Sequence, residues 1–592
     1  MAKIVPVGQA QGKSTVGKRG TIAYPMARYR WRVRPTDESQ ATRLAGELNI
    51  SRVLARLLVA RGYTEPEAAY RFLNPSLSDL ADARRLPDIA PAVRRLAQAV
   101  ERQEPVLVYG DYDVDGVTST ALWVTTLRRL GAPAEPYIPH REQEGYDLHP
   151  NAIGAAQRMG AQLVLTCDCG VRAHEAVDAL NAAGLEVIVT DHHEPGDRLP
   201  NARAVVNPKR ADSEYPFREL SGVGVSLRVA ETLLRERKLP VNGFYDTMLD
   251  LVALGTVADV MPLVGENRVL VKLGLERLHR TKRVGLQALK QVAGVKRYPT
   301  ARDIGFGLAP RINAVGRLED ATLALQLLLE DDPHAAQQIA QTLDMHNRAR
   351  QDLQEAAVQE AIAQVESENL TRHRALVVHS PGWHHGIVGL VAGKLVNRYY
   401  RPVVAATVDP ESGVVRGSMR SIPEFNLTEL LAQMKPLCLK CGGHAAAGGF
   451  AVALEQFDAL RECILAFTNA RLTDDDLIPL LDIDQAIEAG EVTMRLIQEL
   501  NLLEPFGVGN EKPLFMCTGV EVLGSQTSKN GKHLFLKVRG EGSVVYDAVL
   551  WGGGDYPIEP EARIDLVFDV EEDSYNGYGA VRWVIRDFRE TI

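Results

Sequence analysis

From Val106 onward the chain alternates short, wholly apolar runs with helix-like stretches, and this alternation constrains its fold more than any other feature. VLVYG (106–110) precedes a helix-like segment from Val117 to Leu130; AEPYI follows, then LVLT (163–166), EVIVT (186–190) and AVVN (204–207). Buried runs of four or five residues rich in Val and Ile, spaced by helices, are the pattern of βαβ units around a parallel sheet. In such sheets ligands gather beyond the carboxyl ends of the strands. The residues just after each run are therefore the place to look for chemistry.

Those residues are carboxylates and imidazoles. Asp111, Asp113 and Asp115 leave the first run in VLVYGDYDVDG, Asp168 follows the second in LVLTCDCG, and Asp191, His192 and His193 follow the third in EVIVTDHH. Asp259 leaves a further apolar run, LVALGTVADV, read as one more core element delivering its residue to the same end of the sheet. Three carboxylates at alternate positions repel one another unless a cation neutralises them. An EF-hand would need Glu at the twelfth position of D-x-D-x-D-G, where Leu122 stands. Carboxylates with one or two imidazoles suit Mn²⁺ or Mg²⁺ better than a soft thiolate site. Cys167 and Cys169 form a C-x-C without a second pair and read as core neighbours of Asp168. No G-x-S-x-G elbow suggests a covalent nucleophile.

A chain of 592 residues exceeds one hydrophobic core and suggests roughly four domains. No apolar run reaches the ~18 residues of a membrane span, no signal peptide is apparent, and six cysteines fit a reducing cytoplasm rather than a disulfide framework. A net charge of −9 does not exclude a nucleic-acid partner, because clustered carboxylates at metals count in the sum. Residues 1–35 run the other way: Lys3, Lys13, Lys18, Arg19, Arg28, Arg30, Arg32 and Arg34 precede the first acid, Asp37. With Tyr29 and Trp31 interleaved, this arm is expected to be disordered and able to neutralise phosphates and stack on bases, although an Arg-rich start also resembles a transit peptide. GQAQGKST (8–15) lacks the first glycine of a phosphate-binding loop, Val7 standing there.

The expected organisation is a basic arm (1–35), a helical region (36–100), the parallel-sheet domain (101–330), connecting helices broken at Pro333 (331–372), a second α/β domain (373–475) and a small all-β barrel, with an OB-fold the natural candidate (476–592). KHLFLKV and AVRWVIRDF alternate as strands after the turns Lys529-Asn530-Gly531 and Tyr575-Asn576-Gly577. In the second α/β domain VVRGSMRS puts Arg416, Ser418 and Arg420 on one face of a strand, a phosphate clamp in outline. GGHAAAGGF reads as a glycine loop around Gly443 and His444 that backbone and ligand can approach closely. Cys438 and Cys441 lack the second pair a zinc knuckle requires. Arg311 and Arg317 stand in what reads as a Gly- and Asn-rich loop.

DYDVDG, CDCG, DHH and GTVADV, in this order, resemble the DHH phosphoesterase superfamily and within it the RecJ-type single-strand-specific exonucleases. The resemblance continues through SGVGVS (221–226), GFGLAPRINAVGR (305–317), HNRAR (346–350), WHHGIVGLVAGKL (383–395), VVRGSMRS (414–421), GGHAAAGGF (442–450) and PFGVGNEKPLF (505–515). It implies a DHH domain, a DHH-associated domain joined to it by a long helix, and a C-terminal OB-fold. It also implies that Asp115, Asp168, His192 and Asp259 hold one divalent cation and Asp113 and Asp168 the other. Asp111 is a further candidate, because Tyr109 stands where smaller relatives carry a His ligand. Asp191 would orient His192 from behind, and His193 would face the scissile phosphate. Arg311, Ser418 and Arg420 would recognise a 5′-phosphate, with Gly443 and His444 on nucleic acid. The implied activity is two-metal, 5′→3′ hydrolysis of single-stranded DNA in recombination and repair, by a cytoplasmic monomer with single-strand-binding protein as a partner. The alternatives are a DHH phosphodiesterase acting on cyclic dinucleotides or short oligonucleotides, and a scaffold that binds single strands without cutting them.

Overall fold

The computed structural model describes residues 28–140, 144–145, 147–318, 321–409, 412–556, 558–573 and 580–591. They form two compact units, one of Asn74–Leu353 with Pro505–Glu511, the other of the described residues up to Leu73 with Gln354–Glu504 and those from Lys512 onward.

The first unit is built on five parallel strands in the order Ala134–Tyr137, Val106–Gly110, Leu163–Cys167, Glu186–Thr190, Ala204–Val206. Every residue of Val106–Gly110 and Leu163–Cys167 is buried, as expected of central strands covered on both faces. The helices Val114–Arg129, Gly222–Glu236 and Asn242–Ala258 pack on one another beside this sheet. LVALGTVA, expected to behave like the other sheet-forming runs, is the second half of Asn242–Ala258, with Asp259 as its C-cap. A helix buried over most of its circumference shows no amphipathic period, so its apolar run is indistinguishable in sequence from a core strand. APRINAVGR is likewise helix, Ala309–Leu318, entered through one π-helical turn, Ile304–Leu308, rather than a loop.

Pro333 opens the 35-residue helix Pro333–Ser367, and the boundary between the units falls inside it. In the second unit the strand order is Lys440–Gly443, Ala447–Ala453, Val414–Arg420, Val403–Asp409, Leu376–His379, parallel only between the last two. The GGHAAAGGF segment is thus the antiparallel hairpin Lys440–Gly443/Ala447–Ala453 rather than an irregular loop. Further along, Phe515–Thr527, Leu534–Arg539, Val545–Leu550, Val581–Glu590 and Arg563–Glu572 pair in that order. Pairing of the first with the last closes a five-stranded barrel. The turn at 575–577 lies outside the described residues.

The expectation of a disordered arm over 1–35 requires correction. Residues 1–27 lie outside the described residues, but Arg30–Val33 is a strand paired in parallel with Leu480–Ile483. Trp31, 4 % exposed, packs with Ile483 and Val567. Its indole Nε1 donates to Asp587 Oδ2 at 2.8 Å and Arg589 lies 4.3 Å above its ring. Trp31 is therefore occupied and not available to a base. Burial of one large aromatic outweighs the preference of the flanking arginines for water, because their long side chains reach solvent or carboxylates such as Asp482 while the indole faces inward. Among the described residues no helix is long and apolar enough to cross a membrane, and all six cysteines are free.

Candidate metal centre

Four segments of the first unit converge on one cluster. Asp113 caps the helix Val114–Arg129, its carboxylate accepting from Gly116 N at 3.1 Å. One turn in, Asp115 is 1 % exposed and accepts from Gly222 N (2.7 Å) and Val223 N (2.9 Å) at the start of the helix Gly222–Glu236. A helix N-terminus is a fitting place for a carboxylate; even so, burial and the charge of Asp113 raise the pKa of Asp115. Asp168, also 1 % exposed, sits past the end of its strand at φ 64°. Burial, then Asp115 and Asp113, push its pKa well above the ordinary carboxylate range, and burial with Asp115 does the same for Asp259.

His192 lies among these carboxylates. Its Nε2 stands 3.0 Å from Asp168 Oδ1, 3.5 Å from Asp259 Oδ2 and 3.9 Å from Asp115 Oδ2. Burial, followed by the neighbouring His193, lowers its pKa to about 3, so the ring is neutral and can offer a lone pair. His192 Nε2 and Asp168 Oδ1 are both buried, and among the described residues neither has a hydrogen-bond partner. Buried polar atoms are normally satisfied, so two such atoms 3.0 Å apart mark a place where another group belongs. Donor atoms of Asp115, His192 and Asp259 lie within 4.8 Å of one another, as do those of Asp111, Asp113 and Asp168, and those of Asp168, His192 and His193. Carboxylate and imidazole donors in this density fit divalent cations, and Asp168 belongs to two of the three sets.

Asp191 departs from expectation. Its Oδ1 accepts from the backbone N of His192 (2.7 Å) and of His193 (3.0 Å), and lies 2.8 Å from His193 Nδ1. The carboxylate therefore aims the ring of His193, not that of His192. Two adjacent histidines gave no sequence signal to choose between them. Partial burial works against a charged His193, yet the hydrogen bond and charge of Asp191, helped by Asp259 and Asp111, bring its pKa up to about 9. Without bound cations the charged form of His193 is accordingly favoured at neutral pH, and its ring can act as a hydrogen-bond donor.

Two glycines make the cluster possible, and sequence reasoning noticed them only as parts of motifs. A Cβ on Gly222 would stand 2.5 Å from Asp168 Oδ1, and one on Gly255 would stand 2.8 Å from Asp115 Oδ1. Only a bare backbone lets the two helices approach the carboxylates this closely.

The expected substrate residues divide between the units. Arg416, Ser418 and Arg420 share one face of Val414–Arg420, with Val415, Gly417 and Met419 buried on the other. Arg420 Nη1 donates to Ser418 Oγ (3.0 Å) and Met419 O (2.8 Å). Burial lowers the pKa of Arg420, and among the described residues it has no carboxylate partner. The helix Val388–Tyr399 begins against this face, a Cβ on Gly389 falling 3.0 Å from Ser418 Oγ and 3.1 Å from Arg420 Nη2. Gly449 pairs opposite Ser418, and Gly443 and His444, at the tip of the hairpin, are exposed. In the other unit Arg311 donates to Asp344 Oδ1 (2.9 Å) and Gly307 O (2.6 Å), which leaves it more a strut than a free cation. The side chain of Arg317 lies outside the described residues.

Three segments of the chain match known family models. Residues 105–256 match the DHH family N-terminal domain, 373–470 the DHHA1 domain and 483–587 the RecJ OB domain. The single-stranded-DNA-specific exonuclease RecJ of Bacillus subtilis is 38% identical over 565 residues, 95% of this chain and 71% of that protein. The chain belongs to the RecJ family. The crystal structure of RecJ in complex with Mn²⁺ from Thermus thermophilus superposes with a TM-score of 0.83 at 31% identity, covering 95% of this chain and 80% of that one. The corresponding Mg²⁺ complex superposes with a TM-score of 0.77 at 30% identity, covering 95% and 79%. As a RecJ-family member the chain has the expected architecture of DHH domain, DHH-associated domain, long connecting helix and OB barrel.

Proposed function

We propose that this chain is a metal-dependent exodeoxyribonuclease that hydrolyses single-stranded DNA in the 5′→3′ direction, releasing nucleotides, in DNA recombination and repair. The observation that carries the proposal is two donor sets, Asp115, His192 and Asp259 in one and Asp111, Asp113 and Asp168 in the other, with Asp168 Oδ1 3.0 Å from His192 Nε2, in a chain whose RecJ relatives include structures in complex with Mn²⁺ and with Mg²⁺. Asp115, His192 and Asp259, with Asp168, would hold one cation; Asp113 and Asp168, with Asp111, would hold the other. Divalent cations bound there supply Lewis acidity toward a phosphodiester and acidify water.

The chain's own residues do the rest. Asp115 is held rigid by two N–H groups of a helix terminus, so its donor atoms are placed before any cation arrives. His193, its ring fixed by Asp191, can donate to a non-bridging phosphate oxygen and stabilise the negative charge that builds up there. Arg420, half-buried and without a carboxylate partner among the described residues, beside Ser418 and the start of a helix, is suited to a terminal phosphate, and engagement of that group at the 5′ end would set the polarity. The barrel, where Trp551 and Phe535 are exposed beside His533, would contribute to holding the strand. Single-strand-binding protein as a partner, a monomeric state and a cytoplasmic location, the last in keeping with six free cysteines, belong to the same reading.

The test is Asp168→Ala assayed on 5′-phosphorylated single strands in Mn²⁺. Degradation should be abolished while binding of the strand in EDTA persists. Full residual activity would sink the assignment.

A further inference from the structure

The turn that carries Asp168 is pinned from two sides. Val171 N donates to Asp191 Oδ2 at 2.9 Å, and the preceding N–H, that of Gly170, donates to Asp147 Oδ1 at 2.7 Å. Asp147 belongs to none of the donor sets. It lies at φ 81°, a left-handed conformation in which an L side chain is strained. Such strain survives only where the surroundings over-determine it, and it gathers at functional sites.

The surroundings of Asp147 meet that condition. Its Oδ1 also accepts from Leu148 N (2.9 Å), and its carbonyl accepts from the Tyr109 hydroxyl (3.1 Å), which in turn accepts from His149 N (3.2 Å). Tyr109 is the penultimate residue of the strand Val106–Gly110, two positions before Asp111. Asp147 therefore bonds to the ends of two adjacent strands: through its carbonyl to the one leading into Asp111 and Asp113, through its carboxylate to the turn beyond Asp168.

We propose that Asp147 is a positioning residue that sets the spacing between these two donor-bearing loops and thereby the affinity of the centre for divalent cations. The inference rests on the metal-centre reading above. Asp168 is itself at φ 64° and Gly170 at φ 107°, so the turn has two residues in the left-handed region and depends on external bonds to hold its shape. Gly170 is buried. Without the Asp147 acceptor its N–H would be left unsatisfied, and the turn would move to find water or another oxygen, taking Asp168 with it.

Mn²⁺ titration by calorimetry, with the electron paramagnetic resonance spectrum of the bound ion and the metal-free melting temperature recorded alongside, tests this on the full chain. Asp147→Ala and Asp147→Gly should each weaken Mn²⁺ binding by about tenfold or more and alter the spectrum. Asp147→Asn, whose side-chain oxygen still accepts the Gly170 N–H, should stay within about threefold of the parent. The glycine variant removes the φ strain as well as the acceptor, so its weakness would assign the effect to the pin, and it carries the test if the alanine variant does not fold. Parental affinity in the glycine variant overturns the proposal, as does an asparagine variant as weak as the other two. Asp168→Ala separates the two levels. If it binds Mn²⁺ like the parent, the metal-centre reading itself fails; if it loses Mn²⁺ while Asp147→Gly keeps it, only the role of Asp147 falls.

Discussion

Gly222→Ala tests how closely the metal centre is built against the start of its neighbouring helix. The new methyl group would stand 2.5 Å from Asp168 Oδ1 and 2.7 Å from its Cβ and Cγ, against about 3.4 Å for ordinary contact. About 0.9 Å must therefore be found, and the backbone of Asp168 has little freedom to supply it: its N–H donates to Thr190 O at 2.9 Å and it already sits at φ 64°. Rotation of the side chain leaves the 2.7 Å contact at Asp168 Cβ in place, so the turn or the start of the helix must also shift. A misplacement of about 1 Å at reacting groups costs on the order of a hundredfold in rate, and displaced ligand carboxylates weaken metal binding by about 10- to 100-fold. Gly222 opens the helix Gly222–Glu236, and its N–H to Asp115 survives the substitution. Replacing a helical glycine by alanine is otherwise worth up to about 1 kcal/mol in favour of the helix. The expected result is a metal-free protein destabilised by about 1–3 kcal/mol, the cost of overpacking a buried contact, with Mn²⁺ affinity down at least tenfold and nuclease activity at limiting Mn²⁺ down about a hundredfold. Steady-state rates across a Mn²⁺ titration, paired with thermal melts in EDTA, read both. Activity within about threefold of the parent at every Mn²⁺ concentration would refute the reasoning.

Saturating Mn²⁺ should stabilise the unit that holds the centre, by about 2.7 kcal/mol per cation at a hundred times its Kd. Scanning calorimetry should see this as an upward shift of one transition that is much reduced in Asp168→Ala; an equal shift in that variant would argue against the site. Arg420→Ala should lower the preference for a 5′-phosphate over a 5′-hydroxyl by roughly 10- to 100-fold, the worth of a charge-assisted hydrogen bond, measured by end-labelled digestion; an unchanged preference would place the phosphate elsewhere. Trp31→Ala should destabilise the barrel by about 3–5 kcal/mol while leaving Mn²⁺ affinity unchanged. A loss below about 1 kcal/mol in denaturant melts would show that the strand Arg30–Val33 is dispensable.

The parallel sheet and the placement of Asp111, Asp113, Asp115, Asp168 and the DHH triplet at its carboxyl end were legible, because central strands buried on both faces leave continuous β-branched runs and the chain leaves each run where ligands gather. Asp259 was found for a reason that was only half right: its apolar run is a buried helix, whose end happens to lie at the same place. Less was legible where a side chain's partner is distant in sequence. The strand containing Trp31 pairs with Leu480–Ile483, far along the chain, and a local reading took its arginines and aromatics for a nucleic-acid-binding arm. The steric demand at Gly222 and Gly255 belongs to helix–carboxylate approaches that no spacing encodes. Asp191 could have served either adjacent ring, and geometry alone decides for His193. The alternation of Arg416, Ser418 and Arg420 was legible because period two is local.

The parallel pairing of Arg30–Val33 with Leu480–Ile483 also bears on how the chain is made. Synthesis at about 5–20 residues per second puts roughly 20–90 s between the emergence of the first strand and that of its partner, and Val567, which completes the pocket around Trp31, comes later still. Through that interval an unpaired strand with an exposed indole is a site for wrong pairing, with another nascent chain or with a chaperone's apolar surface. The arginines at 28, 30, 32 and 34 flank that indole and supply the like-charge repulsion that keeps such an edge soluble. In this light the charges that first suggested a nucleic-acid arm act as gatekeepers for a strand that must wait for its partner.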